Sequence, residues 1–369
     1  MKLEPFKLER FFAQHEFTAK HLLSCSDSES MPLGKLLDMA PDYRKDLEKL
    51  WLGYSESMGL PELRQEIAKT YSKVTADQVL LHAGAQEPIL NLLNSVLGPE
   101  DHVIVHFPCY QSFYSIPRGI GCEVGFWNAR FENDWKPDLG ELSRLIRPNT
   151  RLVIANFPHN PTGAVLGQDE FMSLVEMLRH RGITLLSDEV YRGLEIRPED
   201  RLPAACDLYE GAVSLGGMSK SYGLAGLRIG WVATQDRAIL KSMAQYKDYT
   251  TICNPVIAET LAILAMKNGN KIISRNLEIV RKNLNELDRF FERWSKHFEW
   301  VRPRGSTMAF PRAKPHLDMT LFASRLLGEK GVMLLTGRHF DMEDQYFRLG
   351  MGRVAFPEAL REMEKLLQG

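Results

Sequence analysis

Apolar positions along the chain recur with two alternating periods, and the switches between them outline the elements. Residues 1–23 place Leu8, Phe11 and Phe12 at helix-like intervals, which predicts a short amphipathic helix or arm. The serine-rich CSDSESMPL then breaks the pattern. A helix is expected over 34–50. After LGYSESMG, the stretch LPELRQEIAKTYSKV begins another, with Pro61 near its first turn and Leu63, Ile67 and Tyr71 on one face. VLLHAGAQEPILNLLNSVL reads as a short strand, a Gly-Ala-Gln turn and a helix. DHVIVHFPCYQSF is a strand ending at Pro108, and LVIANFP is another that ends in the turn HNPTG. An amphipathic segment over 168–180 precedes ITLLSDEVYRGL, a buried strand finishing on Asp188, Glu189 and Tyr191. VSLGGMSK closes this series. WVATQ is a further strand, and 235–265 is mostly helical in pattern.

KNGNK reads as a joint, followed by a long amphipathic helix, IISRNLEIVRKNLNELDRFFERW. Short strands near FEWVRP, TMAFPRA and QYFRLGMG follow, with helical segments around 318–330 and at the C-terminus. The expected fold is α/β: a large domain with a mostly parallel sheet covered by helices on both faces, plus a smaller α+β domain. The limits are set at 1–40 for an N-terminal arm that joins the small domain, 41–269 for the large domain and 270–369 for the small one. Parallel sheets of this kind bind ligands beyond the carboxyl ends of their strands. Tyr110, Asn160, Asp188, Tyr191 and Lys220 all fall at such ends.

Composition narrows the class. The 369 residues are enough for one large and one smaller core. Forty-six basic and 47 acidic residues leave a formal net charge of −1 with no long run of either sign, unlike a nucleic-acid binder. The five cysteines are scattered without metal-ligand spacing and suit a reducing cytoplasm. Charges interrupt every apolar group of the N-terminus, so neither a signal peptide nor a bilayer span is expected. His102 and His106 are four apart, but a strand puts them at its fraying ends, so no metal site is expected.

The chemistry concentrates in SLGGMSKSYGLAGLRIGW. Lys220 leaves a strand end into a glycine-rich turn that exposes its side chain, and a lysine amine held in a site forms Schiff bases with carbonyls. Ser219 and Arg228 would hold an anion close by. The turn at Gly84, Ala85 and Gln86 points backbone N–H groups of a helix start outward, a possible phosphate cradle.

An N-P-T-G turn, an S-D-E-V-Y strand end and an S-K-x-x-G-L-x-G-x-R turn occur in that order, and together they resemble the fold-type I pyridoxal-phosphate enzymes, specifically class I/II aminotransferases. The likeness runs from about Tyr54 to Arg348. It implies that Lys220 carries the cofactor pyridoxal 5'-phosphate and then shuttles the proton at the substrate α-carbon. Asp188 would pair with the pyridine nitrogen, and Asn160 and Tyr191 would donate to the ring oxygen. Tyr110 would stack on the ring. Ser219, Arg228 and the N–H groups of Ala85 and Gln86 would bind the phosphate, with Tyr54 reaching over from the neighbouring subunit of a homodimer. Arg348 would take the substrate α-carboxylate. Many members carry serine three residues before the lysine; this chain has Gly217, so one phosphate hydroxyl is missing.

The activity implied is a ping-pong aminotransferase between an α-amino acid and a 2-oxo acid. The alternative is a β-lyase or cyclase with the same cofactor, since KLERFF and the serine-rich 24–30 resemble capreomycidine-synthase-type relatives. A distant third is a non-catalytic aminotransferase-like module, for which no helix-turn-helix precedes the arm. Substrate choice is expected to depend on 24–31, Phe113 and 247–255. Arg338 and Arg353 are further arginines near Arg348.

Overall fold

The computed structural model describes residues 2–368; the outermost residues of the expected domain limits, Met1 and Gly369, lie outside the described residues. Seven strands form the central sheet, in the spatial order Val79–Ala83, Ile229–Thr234, Ala212–Gly217, Thr184–Asp188, Thr150–Asn156, His102–Phe107, Glu123–Asn128. Ile229–Thr234 runs antiparallel to both its neighbours, and the other pairings are parallel. The inner strands read as unbroken apolar runs because both of their faces are covered. Val103 and Val105 point to one side, against Ile89, Leu92, Phe113, Ile239 and Met243. Ile104 and Val153 point to the other, against Phe171, Leu174 and Leu178 of the helix Gln168–Arg181.

A second core gathers on the long helix Gly269–Arg293, whose Val280, Leu284, Leu287 and Phe291 recur at helical spacing. It packs with the helices Met319–Lys330 and Phe356–Gln368 and with the antiparallel set Met308–Ala309, Phe347–Gly350 and Leu335–Thr336. The N-terminal segment joins this core: His21–Leu22 pairs in parallel with Val332–Met333, and Leu23 is buried there.

Several elements differ from the sequence pattern. The helix expected over 34–50 is two short ones, Leu33–Leu37 and Tyr43–Glu48, because Pro41 disfavours helical backbone in the residue before it. The helix after Pro61 stops at Ala68. The helical stretch 235–265 is divided into Arg237–Lys247 and Val256–Lys267 by a turn in which Ile252 takes φ +62°, and Pro255 then caps the second helix. Glu123–Asn128, an edge strand with an exposed Glu123, was not anticipated, since EVGFWN lacks the long apolar run of the inner strands. His102 and His106 do not fray: both are buried. They share a face of one strand, about 13 Å apart, and His106 stacks on His159 with ring centroids 3.8 Å apart.

Candidate active site

The strand Thr184–Asp188 delivers Asp188 at its carboxyl end, where Oδ1 accepts the Val190 N–H at 3.1 Å. Asp188 has no ion-pair partner among the described residues, and burial lifts its carboxyl to about 7, against the opposing pull of the Val190 N–H and the Lys220 charge. A buried carboxylate in that condition accommodates a cation. Beyond the end of Ala212–Gly217 comes Lys220, whose Nζ donates to Ser26 Oγ at 2.8 Å and lies 5.9 Å from the centroid of the Tyr191 ring. The Tyr191 hydroxyl donates to the Ser26 carbonyl at 3.2 Å.

At the other end, the helix Gln86–Val96 starts from Ala85 with no side-chain cap, so its first N–H groups lack intrahelical acceptors. Gly84, at φ +75°, leads into it, and any Cβ there would collide with the Arg228 guanidinium. Arg228 itself is left-handed, at φ +51°. An arginine laid across a glycine beside an uncapped helix start is a receptacle for an anion such as a phosphate.

Arg348 is 1% exposed. Its Nε donates to the Ser24 carbonyl at 2.9 Å and its Nη1 to Asn160 Oδ1 at 3.2 Å, while Nη2 has no partner. Burial lowers its pKa, and an incompletely satisfied buried guanidinium calls for an anionic ligand. The Tyr110 hydroxyl donates to Glu9 at 2.9 Å; burial first, then the Glu9 charge, hold it above the usual phenol range.

One cavity of about 370 Å³ brings together Ala85, Gln86, Tyr110, Asn160, Asp188, Tyr191, Ser219, Lys220, Arg228 and Arg348, with Gly217 in its wall. Tyr54 is not in it; its side chain is 93% exposed. Three expectations about the surroundings are corrected. Phe113 is buried in the core and does not line the cavity, because its helix packs on the sheet face. No residue of 247–255 reaches it either: Lys247 turns inward to the Ser57 carbonyl and Asn254, and Tyr249 points outward. Arg338 is tied to Asp344 and Thr320 outside the cavity. Of 24–31, Cys25, Ser26 and Asp27 do line it.

The sequence pattern missed a second wall. The helix Lys7–His15 presents Leu8, Glu9 and Phe12, with Glu16 at its C-cap, to the same cavity. Glu9 and Glu16 are seven apart, a spacing that puts two residues on one helical face. That was the available signal, but nothing local marks such a face as belonging to a site.

These side chains fit pyridoxal phosphate: a lone carboxylate for the ring nitrogen, a lysine between, and an anion receptacle at the far end. Residues 25–362 match the family described as aminotransferase class I and II. The chain belongs to that family, and it is a pyridoxal-phosphate-dependent aminotransferase. It is similar to capreomycidine synthase of Streptomyces vinaceus, 30% identical across 93% of this chain and 88% of the relative. It is also similar to an aspartate aminotransferase of Thermotoga maritima, 29% identical across 87% of this chain and 83% of that one. A crystal structure of a PLP-dependent aminotransferase from Streptococcus suis superposes with a TM-score of 0.93 at 34% identity, covering 100% of this chain and 98% of that one.

Gly217 offers a direct check on the phosphate end. A Cβ there would meet the Ile229 carbonyl at 3.5 Å and the Ala85 Cβ and Gly230 Cα, each at 3.7 Å, all ordinary contacts. Gly217→Ser should therefore fold and add a hydroxyl to the receptacle, tightening cofactor binding by roughly tenfold in a fluorescence titration. Unchanged or weaker binding would place the phosphate elsewhere.

Proposed function

We propose that this chain transfers an amino group from an α-amino acid to a 2-oxo acid in two half-reactions at the cavity around Lys220. The observation that carries the reading is the convergence of Lys220, unpaired Asp188, the Arg228 receptacle and the open Nη2 of Arg348 in one cavity. Pyridoxal phosphate supplies a carbonyl that takes up the amino group and a ring that spreads the electron pair left at the substrate α-carbon. Lys220 would take and return the α-proton, and Asp188 would hold the ring nitrogen in its charged form. Arg348 receives the substrate carboxylate through Nη2, which fixes the α-carbon relative to the amine. Asn160, whose Oδ1 accepts from Arg348, and Tyr191 would donate to the ring oxygen, and Tyr110 would give the ring a stacking face. Ser219, Ala85 and Gln86 serve the phosphate. With a competent donor and acceptor, double-reciprocal plots should be parallel; intersecting lines would refute the two-half-reaction order.

The capreomycidine synthase likeness supports a second reading, cyclisation or β-elimination with the same residues. A cyclic product, or an oxo acid and ammonia formed without an acceptor, would select it.

The working unit is a homodimer in this reading. Trp51, Leu52, Tyr54, Tyr249 and Ile252 are exposed, and Ser55 ties their two loops together through the Asn254 carbonyl at 3.0 Å. Covering such an apolar surface is what a second copy would do, with Tyr54 reaching the neighbouring phosphate. Sedimentation should give the mass of two chains; a mass of one would remove Tyr54 from the site. The five cysteines are all unpaired, which supports a cytoplasmic setting.

A further inference from the structure

Glu87 is a buried acid in the first turn of the helix Gln86–Val96, one residue beyond the anion receptacle. That is an awkward place for it. A negative charge beside a phosphate opposes the ligand, the more so where water is excluded. An acid in a first turn ordinarily answers the helix's own free N–H groups, but the Glu87 oxygens go elsewhere. Oε2 reaches back across the turn to accept the Ala83 N–H at 2.5 Å, at the end of the strand Val79–Ala83. Oε1 reaches the loop after the helix Arg237–Lys247, accepting from the Thr250 hydroxyl, from the Thr251 hydroxyl at 2.7 Å and from the Thr251 N–H at 3.2 Å. Asn91, four residues on and so on the same helical face, donates from Nδ2 to the Thr250 hydroxyl at 3.4 Å. Burial raises the Glu87 carboxyl, but the bonds from Thr250, Ala83 and Thr251 outweigh it and hold the group below the usual carboxylate range. Ala85, Gln86 and Ile89 line the cavity, and Glu87 is not in its wall.

We propose that Glu87 is a positioning residue for the cofactor phosphate: it clamps the strand end and the loop at Thr250 and Thr251 to the helix start, and so holds the turn 84–86 in register with Arg228. The inference rests on the reading of that receptacle as the phosphate site. Because the clamp satisfies donors outside the helix, the helix's first N–H groups stay available to the ligand. It also gives 247–255, which does not reach the cavity, a part in cofactor binding through two threonines. The benefit is geometric and has to exceed the repulsion between the carboxylate and the phosphate.

Pyridoxal 5'-phosphate and pyridoxal, which lacks the phosphate, would be titrated by fluorescence into the whole chain freed of cofactor. The ratio of the two affinities isolates the phosphate's share. Glu87→Ala should lower that ratio tenfold or more, and Glu87→Gln, which keeps one accepting oxygen, by less. Thr251→Ala should lower it too, and its effect should largely vanish in the Glu87→Ala background, because both changes open the same clamp. Charge alone predicts the opposite sign, since removing a negative group beside a phosphate would raise the ratio. A ratio that rises or stays unchanged in Glu87→Gln and Thr251→Ala overturns the proposal, even where denaturant melts show a variant to be less stable. Arg228→Met separates the two layers. If it leaves the ratio unchanged, the receptacle reading falls and this inference with it; if it lowers the ratio while the Glu87 variants do not, only the positioning role is overturned.

Discussion

Lys220→Ala should abolish the visible absorbance that the wild-type protein acquires with pyridoxal phosphate, and should lower turnover on the order of 10⁴-fold. Two roles are lost together. Among the described residues the amine is the only lysine nitrogen lining the cavity, so no neighbour can replace its bond to the cofactor. It is also the group placed to move the α-proton. Borohydride treatment of the wild type should fix the cofactor to the peptide containing Lys220 and to no other. The substitution leaves the fold intact, because the side chain's single hydrogen bond is to the Ser26 hydroxyl, which solvent in the cavity can satisfy. A variant that keeps its absorbance band, or loses less than tenfold in turnover, would dismiss Lys220 as the attachment point.

Asp188→Asn should lower turnover by roughly 10²–10³-fold, the range seen when one preorganised electrostatic partner is removed, and should change how the cofactor-free protein responds to pH. Burial, the leading cause, pushes the native carboxyl up to about 7 from an ordinary 3.8. Between those values the folded protein binds a proton that the unfolded chain has released, so stability falls as pH rises through the window and levels off above it. The full effect is on the order of 4 kcal/mol. Glu259 is also lifted to about 7, mainly by burial, and slopes the same way. The difference between wild type and Asp188→Asn, followed by denaturant melts from pH 4 to 8, isolates Asp188. Adding pyridoxal phosphate should flatten that difference by giving the carboxylate its cation. A difference that stays flat without cofactor would mean that Asp188 is ionised at no cost and needs no ring nitrogen.

Much of the large domain was legible because its information is local. An inner parallel strand must be apolar on both faces, and its ligand-binding end must turn sharply, so LVIANFP before HNPTG and ITLLS before DEV announce themselves within a dozen residues. Glu123–Asn128 escaped because an edge strand is covered on fewer sides and tolerates EVGFWN. Breaks such as those at Pro41 and Ile252 come from single residues inside stretches that otherwise keep a helical period. Glu9 and Glu16 illustrate a different limit. On an amphipathic helix a glutamate normally marks the solvated face, and only the docking of residues 7–31 against Tyr110, Ser219 and Arg348 turns that face inward. The reverse error placed Phe113 over the site, although an aromatic just past a strand end packs equally well onto the sheet.

The segment 7–31 contributes the helix face, Ser26 against the lysine and Asp27 against Arg353, while the lysine, Asp188 and the anion receptacle all come from 84–228. The cofactor's anchors and one wall of the cavity thus come from separate lengths of chain that meet at the bond between Ser26 and Lys220. Changes near one end of the polypeptide can therefore reshape that wall while the lysine, Asp188 and the anion receptacle keep their places, provided the serine is kept.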